Sequence, residues 1–278
     1  MGLCKYCGEK AGLFRSKHKA CEAKKIAGQT SIISEVEKFI LAKEGFENMQ
    51  ATILQIAAEH YIKAEELNAL YGKGFDEAVA HILEDGVVSE EEEKKIGTFK
   101  SQFDDFDTKI DTQDSILKVI KSLVLRDLLG GNIPQSRVNF AGNAPFLLQK
   151  GEEFLWIFKN VAYHERVNKT VYVGSSQGVS VRIAKGVYYR TSSFKGNPVL
   201  TNELKYISTG ILAFTNKHVW FSSEQKSFKI PYTKLITIEP FENGCGMLKD
   251  GVSAKPQIFS NIDGWFTYNL VSNMVALV

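Results

Sequence analysis

The sequence predicts an α+β multidomain protein. A small cysteine-rich module occupies residues 1–27 and a helical domain 28–131. A linker at 132–150 leads to a β domain at 151–278, expected as a small barrel or sandwich capped by a C-terminal helix. Three observations predict this. Three of the four cysteines and one histidine fall within residues 4–21. Apolar residues then recur every three or four positions over 30–128, the period of a helix buried on one face. From residue 154 the texture turns to short β-branched and aromatic runs separated by Gly, Asn and Ser, the pattern of strands and turns.

The first element is CKYCGEKAGLFRSKHKAC, with the spacing Cys4-x2-Cys7-x10-His18-x2-Cys21. A Cys-x2-Cys turn converges two sulfurs on one point, and Gly8 gives the backbone the freedom such a turn needs. The ten intervening residues suffice for a short hairpin, after which His18 and Cys21 enter a helix. Three thiolates and one imidazole with no vacant position is the donor set of a structural Zn²⁺ site. A redox Cys-x2-Cys pair leaves His18 and Cys21 unexplained, and an iron–sulfur centre with one histidine is a rarer use of such ligands. Seven basic side chains interleave the cluster against two acidic ones. Of these Arg15, Lys17, Lys19, Lys24 and Lys25 are candidates for contact with an anion or nucleic acid. The alternative is a solvated surface on a module with little core.

In the helical domain Ile33, Val36 and Ile40 keep helical spacing, as do Met49, Ile53, Ile56 and Ala57. Gly45, Gly72 with Gly74, and Gly86 are expected helix ends. Ser89-Glu90-Glu91-Glu92 is a capping box, and the helix it opens carries Ile96, Phe99, Phe103 and Phe106 on one face. Asp104, Asp105 and Asp107 alternate with those phenylalanines as its polar face. A last helix, about 112–129, ends at Gly130-Gly131 before Pro134. An EF-hand reading of HILEDGVVSEEEE fails, because with Gly86 at loop position six the first and third ligand positions are His81 and Leu83. The stretch ILEDGVVSEEEEKKI resembles the helix junction of TerB-like domains over about 20 residues.

In the β domain the runs FLWIFK, TVYVG, VSVRIA, GVYYRTS, ILAFT, HVWFSS, SFKIP and LITIEPF read as strands. Phe266, Leu270, Val271, Met274 and Leu277 form the closing helix. TGILAFTNKHVWFSS followed by KSFKIPYTKLITIEPF is similar to GRAM and bacterial pleckstrin-homology-like domains, with Asn216-Lys217 at a hairpin turn. The whole order, a short Cys3His module, helices and then this domain, looks like that of a bacterial protein family. The resemblance implies a PH-like fold with a terminal helix and a protein or lipid ligand. The insertion at 168–205 departs from that plan and gathers Arg182, Lys185, Tyr188, Arg190 and Lys195, a candidate ligand-binding hairpin or a charged strand edge. Cys245 is expected as a lone thiol in a turn, His164 and His218 as structural, and Trp156, Trp220 and Trp265 as core.

The bulk numbers bound the function. At 278 residues with 44% hydrophobic and 24% charged content, the chain is ordinary globular protein with room for two or three domains. No run approaches the roughly 20 apolar residues of a membrane span. MGLCKYCGEK has neither the apolar core of a secretion signal nor the Ser or Thr of a myristoylation site. A cytoplasmic location with reduced thiols is expected. The net charge of +2 hides a segregation: +5 over residues 1–25, −3 over 26–75, −9 over 76–115 and +9 over 116–278. No phosphate loop, dinucleotide fingerprint, nucleophile elbow or His-Glu-x-x-His is present, so no catalytic residue is assigned. The expectation is a non-enzymatic bacterial adaptor that binds a protein or a lipid. The alternatives are a nucleic-acid-binding regulator led by the basic module, and a protein that meets an anionic membrane through its +9 segment.

Overall fold

A computed structural model describes residues 2–41, 46–84, 87–102, 113–138, 145–172, 180–184, 187–190, 198–251 and 254–278, with the backbone alone for residue 46 and within 167–202. The chain divides into two compact units, Met1–Arg126 and Asp127–Val278.

In the first unit β1 (Gly2–Leu3) and β2 (Lys10–Gly12) pair as a short antiparallel hairpin. Among the described residues five helices follow: α1 (Lys19–Leu41), α2 (Phe46–Glu59), α3 (Ala64–Ile82), α4 (Glu90–Gln102) and α5 (Gln113–Leu129). The last turn of α5 belongs to the second unit. The core takes Ile32, Val36, Phe39 and Ile40 from α1, Met49 and Ile53 from α2, Phe75, Ala78 and Val79 from α3, Ile96 and Phe99 from α4, and Val119 and Leu123 from α5. Each set keeps the spacing that puts its members on one helix face. The capping box forms: the Ser89 amide donates to Glu92 Oε2 at 2.8 Å and the Glu92 amide to Ser89 Oγ at 3.3 Å. The buried Val88 amide donates to Ser122 Oγ at 2.8 Å.

Gly72 and Gly74 do not end a helix, contrary to the sequence expectation; both are buried inside α3. Gly74 is there because α3 lies against α1. A Cβ at Gly74 would meet Val36 Cβ at 2.6 Å and the Ile33 carbonyl oxygen at 2.8 Å. Gly45, Gly86, Phe103, Phe106 and the Asp104, Asp105 and Asp107 group lie outside the described residues.

The second unit holds a seven-stranded antiparallel sheet. Its strands are β3 (Phe154–Tyr172), β6 (Pro198–Thr215), β7 (His218–Ser223), β8 (Ser227–Pro231), β9 (Leu235–Phe241), β10 (Gly244–Lys249) and β11 (Gln257–Ser260). The order is β8-β7-β6-β3-β11-β10-β9. β4 (Ser180–Ala184) and β5 (Val187–Arg190) form a separate two-stranded ribbon. Of the expected barrel or sandwich, the barrel is therefore corrected to an open sheet: among the described residues its outer strands β8 and β9 do not pair. Each outer strand carries a proline, Pro231 and Pro240, which has no N–H to donate to a further strand.

The sheet is nonetheless strongly curled. The rings of Phe221 (β7) and Phe259 (β11) have centroids 5.6 Å apart, although two strands separate them in the sheet. In a flat sheet three strand spacings would hold them roughly 14 Å apart. Irregular pairing of β3 with β6 between Phe154 and Trp156, Phe158 and Val161, and Tyr163 and His164 supplies the bend. Tyr163 packs at 5.0 Å from Phe221 and 5.4 Å from Phe259 in this interior. α6 (Gly264–Leu277) is capped by Asp263, whose carboxylate accepts from the Phe266 amide at 2.9 Å. It buries Phe266, Leu270, Val271 and Met274, with the Phe266 ring 4.8 Å from that of Trp156. Two expectations change here. Cys245 is buried in strand β10 rather than in a turn, and Trp265 is 65% exposed.

A buried carboxylate holds the start of the sheet. Glu152 Oε1 accepts from Thr215 Oγ1 at 2.7 Å, Trp220 Nε1 at 2.8 Å and His218 Nδ1 at 2.9 Å. Its Oε2 accepts from the Gln149 amide at 2.8 Å. Burial by itself raises the pKa of this carboxyl, but the donors from Gln149, Trp220, Thr215 and His218 outweigh it and lower the value from 4.5 to about 2. Tyr232 completes the cluster by donating to the Thr215 carbonyl at 2.9 Å.

Two outcomes are expected. Gly74→Ala gains about 1 kcal/mol of helix propensity, yet overpacks α1 against α3 and lowers stability by a net ~1–2 kcal/mol in urea unfolding. The second concerns acid. A carboxyl whose folded pKa lies below its unfolded value contributes stability above the unfolded value and loses it as pH falls toward the folded one. The second unit therefore loses on the order of 3 kcal/mol between the ordinary carboxylate range and pH 2 through Glu152. Glu152→Gln removes that part of the slope in acid-unfolding curves and is less stable than the parent at neutral pH.

Candidate metal centre

Cys4 and Cys7 flank a tight turn in which the Gly8 amide donates to the Cys4 carbonyl at 2.9 Å. Gly8 has φ of +76°, a conformation other residues adopt at a cost. That turn is the loop between β1 and β2, and beyond β2 the Ser16 carbonyl accepts from the Lys5 amide at 2.9 Å. His18 precedes α1 directly and Cys21 lies in its first turn. One donor atom from each of Cys4, Cys7, His18 and Cys21 falls within 4.8 Å of all the others.

The geometry fits one ion. His18 Nδ1 is 3.4 Å from Cys7 Sγ and 3.7 Å from Cys21 Sγ. A tetrahedron with metal–nitrogen and metal–sulfur bonds of about 2.0 and 2.3 Å has nitrogen–sulfur edges of roughly 3.6 Å. The other ring nitrogen, Nε2, donates to the Lys10 carbonyl at 3.0 Å. That bond fixes the tautomer and leaves the Nδ1 lone pair facing the sulfurs.

The thiols also call for a cation. Burial raises the pKa of Cys4, but hydrogen bonds from the Cys7, Tyr6 and His18 backbone outweigh it and bring the thiol down to about 6. On Cys21 burial acts in the same direction as the neighbouring Cys7 and Cys4 sulfurs, and the thiol is pushed up to about 11. Three thiolates at this separation repel one another unless a positive ion lies among them. Cys3His is therefore a donor set able to hold a metal ion.

The module is joined to the helical bundle by residues that the sequence pattern did not single out. Tyr61, in the α2–α3 turn, has φ of +58°, uncommon for an aromatic residue. Its ring stacks on Tyr6 at 6.0 Å. Burial and the charges of the Cys21 and Cys7 sulfurs raise its phenol pKa. Lys25 makes two bonds to Glu66, at 2.6 and 2.8 Å. His60 Nδ1 donates to the Lys24 carbonyl at 2.7 Å. These contacts couple residues 36 to 55 positions apart, so no local spacing announces them.

The basic residues divide into two groups. Lys17 is engaged by Glu22 and Lys25 by Glu66. Arg15, Lys19 and Lys24 are exposed, with Lys24 Nζ 5.5 Å from the Tyr61 ring. In the second unit the β4–β5 register sets Arg182 across from Tyr188, and Arg190 across from Ser180. Lys185 and Lys195 lie outside the described residues. His164 Nε2 is 3.0 Å from Ser260 Oγ, and burial lowers the imidazole pKa. Cys245 is pushed up to about 12 by burial, the state of an inert thiol.

No protein-family model matches the chain, and no curated protein matches it either. Among the described residues no helix is long and apolar enough to cross a membrane.

Because Cys21 belongs to α1, metal removal is expected to loosen the bundle as well as the hairpin. A strong chelator should lower the melting temperature of the first unit and speed amide exchange along α1 beyond its first turn. Tyr61→Phe should keep the fold but weaken metal retention about tenfold in chelator competition.

Proposed function

We propose that the protein is a non-enzymatic binding protein, an adaptor, whose N-terminal centre holds one structural Zn²⁺. The observation that carries this reading is the closed set of four donors around one point. Three sulfurs and one nitrogen suit Zn²⁺ over harder cations, and four protein ligands leave no position for water or substrate. The ion's role is then to fold the module rather than to carry out chemistry.

The second unit serves, in this proposal, as a PH/GRAM-like recognition domain. In support, one long strand, β3, is shared between its two halves, the sheet is curled, and a helix follows the last strand. The Thr215–His218 turn that carries the sequence resemblance is also the turn organised by Glu152. Such a domain offers a protein or lipid surface to an adaptor. The ribbon bearing Arg182, Tyr188 and Arg190 is its candidate contact.

The exposed Arg15, Lys19 and Lys24 favour a second reading, nucleic-acid binding by the module. Metal analysis of protein purified without chelator is expected to give one zinc per chain; none would overturn the structural-zinc reading. In mobility-shift assays the adaptor reading predicts no specific complex. A complex whose affinity falls steeply with salt and is lost in Lys19→Glu would establish the second reading instead.

A further inference from the structure

The turn that follows β2 and leads to His18 presents its apolar residues to solvent. Phe14 is 99% exposed, Leu13 67% and Leu3, on the paired strand β1, 65%. A large aromatic side chain left wholly in water, with an exposed leucine next to it in the same turn, is the informative exception among exposed residues. Phe14 also has φ of +58°, a left-handed conformation that disfavours a bulky side chain. The loop is held on both sides: the Lys5 amide bonds the Ser16 carbonyl, and the Lys10 carbonyl accepts from the ligand His18. Its tip is therefore a fixed projection, and little conformational freedom remains to be lost on binding.

Cations accompany the tip. Lys10, Arg15 and Lys19 are exposed, and the only carboxylates among residues 2–25 are Glu9 and Glu22, of which Glu22 is engaged by Lys17. With three thiolates and a divalent ion the module keeps a charge of about +4. We propose that this tip docks on an anionic membrane surface, with Phe14 and Leu13 entering the interface and Lys10 and Arg15 meeting lipid phosphates. A leucine cannot stack on bases as an aromatic ring does, whereas both Phe14 and Leu13 gain from an acyl boundary. A projecting tip needs no shaped pocket on a fluid surface. The inference extends the adaptor reading by naming a partner and rests on the module being metal-loaded.

The test is flotation of the full chain with vesicles of phosphatidylcholine containing phosphatidylserine, against pure phosphatidylcholine, with metal content measured on the same sample. Binding is expected on the anionic vesicles only, and is expected to weaken as salt rises. Phe14→Asp should reduce the bound fraction about tenfold while leaving metal content and melting temperature unchanged, since Asp tolerates a positive φ. Arg15→Glu should also reduce it. Zinc-loaded protein that fails to float, or floats equally well as Phe14→Asp, overturns the proposal and leaves the zinc reading standing. If Phe14→Asp instead abolishes binding to a single-stranded oligonucleotide, or self-association, in protein that ignores vesicles, the tip belongs to that partner. A sample without zinc overturns both this proposal and the structural-zinc reading.

Discussion

Cys21 is at once one of the four donors of the candidate metal centre and a residue in the first turn of a 23-residue helix. The first unit depends on that double membership. Farther along, the same helix places Ile32, Val36, Phe39 and Ile40 in the core. The hairpin supplies Cys4 and Cys7, the helix entry supplies His18 and Cys21, and one ion at their centre would tie the two together. A module of about 25 residues has too little apolar surface to fold on its own. Here it does not stand alone, because Tyr61, His60 and Glu66 from the α2–α3 region grip its ring and its lysines.

The second unit solves a different problem by a related device. A sheet this curled must begin somewhere, and its first residues meet the Thr215–His218 turn around a buried carboxylate. An isolated buried charge is costly, and Glu152 is tolerated because four donors converge on it. In each unit a polar cluster fixes a chain turn that apolar packing alone does not specify.

The functional reading follows from what the two clusters leave exposed. The metal donors are spent on one another's geometry, and Glu152 is spent on its donors. Among the described residues, the Leu13-Phe14 tip with its neighbouring cations is left exposed, and the proposed association rests on it.

The parts legible in the sequence are those decided by neighbours in the chain. The Cys4, Cys7, His18 and Cys21 spacing, the Ser89–Glu92 capping box and the one-sided apolar faces of α1 and α2 are local, because a turn or a helix brings residues two to four positions apart together. The α+β order and the terminal helix followed from the same periodicities. Tertiary structure decided the rest. Gly74 looks like a helix end until α3 closes on α1, and Cys245 looks like a turn until β10 pairs with β9 and β11. Trp265 passes for core until α6 turns it outward. Glu152 and Tyr61 carry no local signal, since apart from Gln149 their partners lie tens of positions away and only the closed chain brings them into contact. The sequence by itself determined the ligand set and the kinds of element. The tertiary structure decided which face each element shows and which distant charges meet, because burial is a property of the assembled fold.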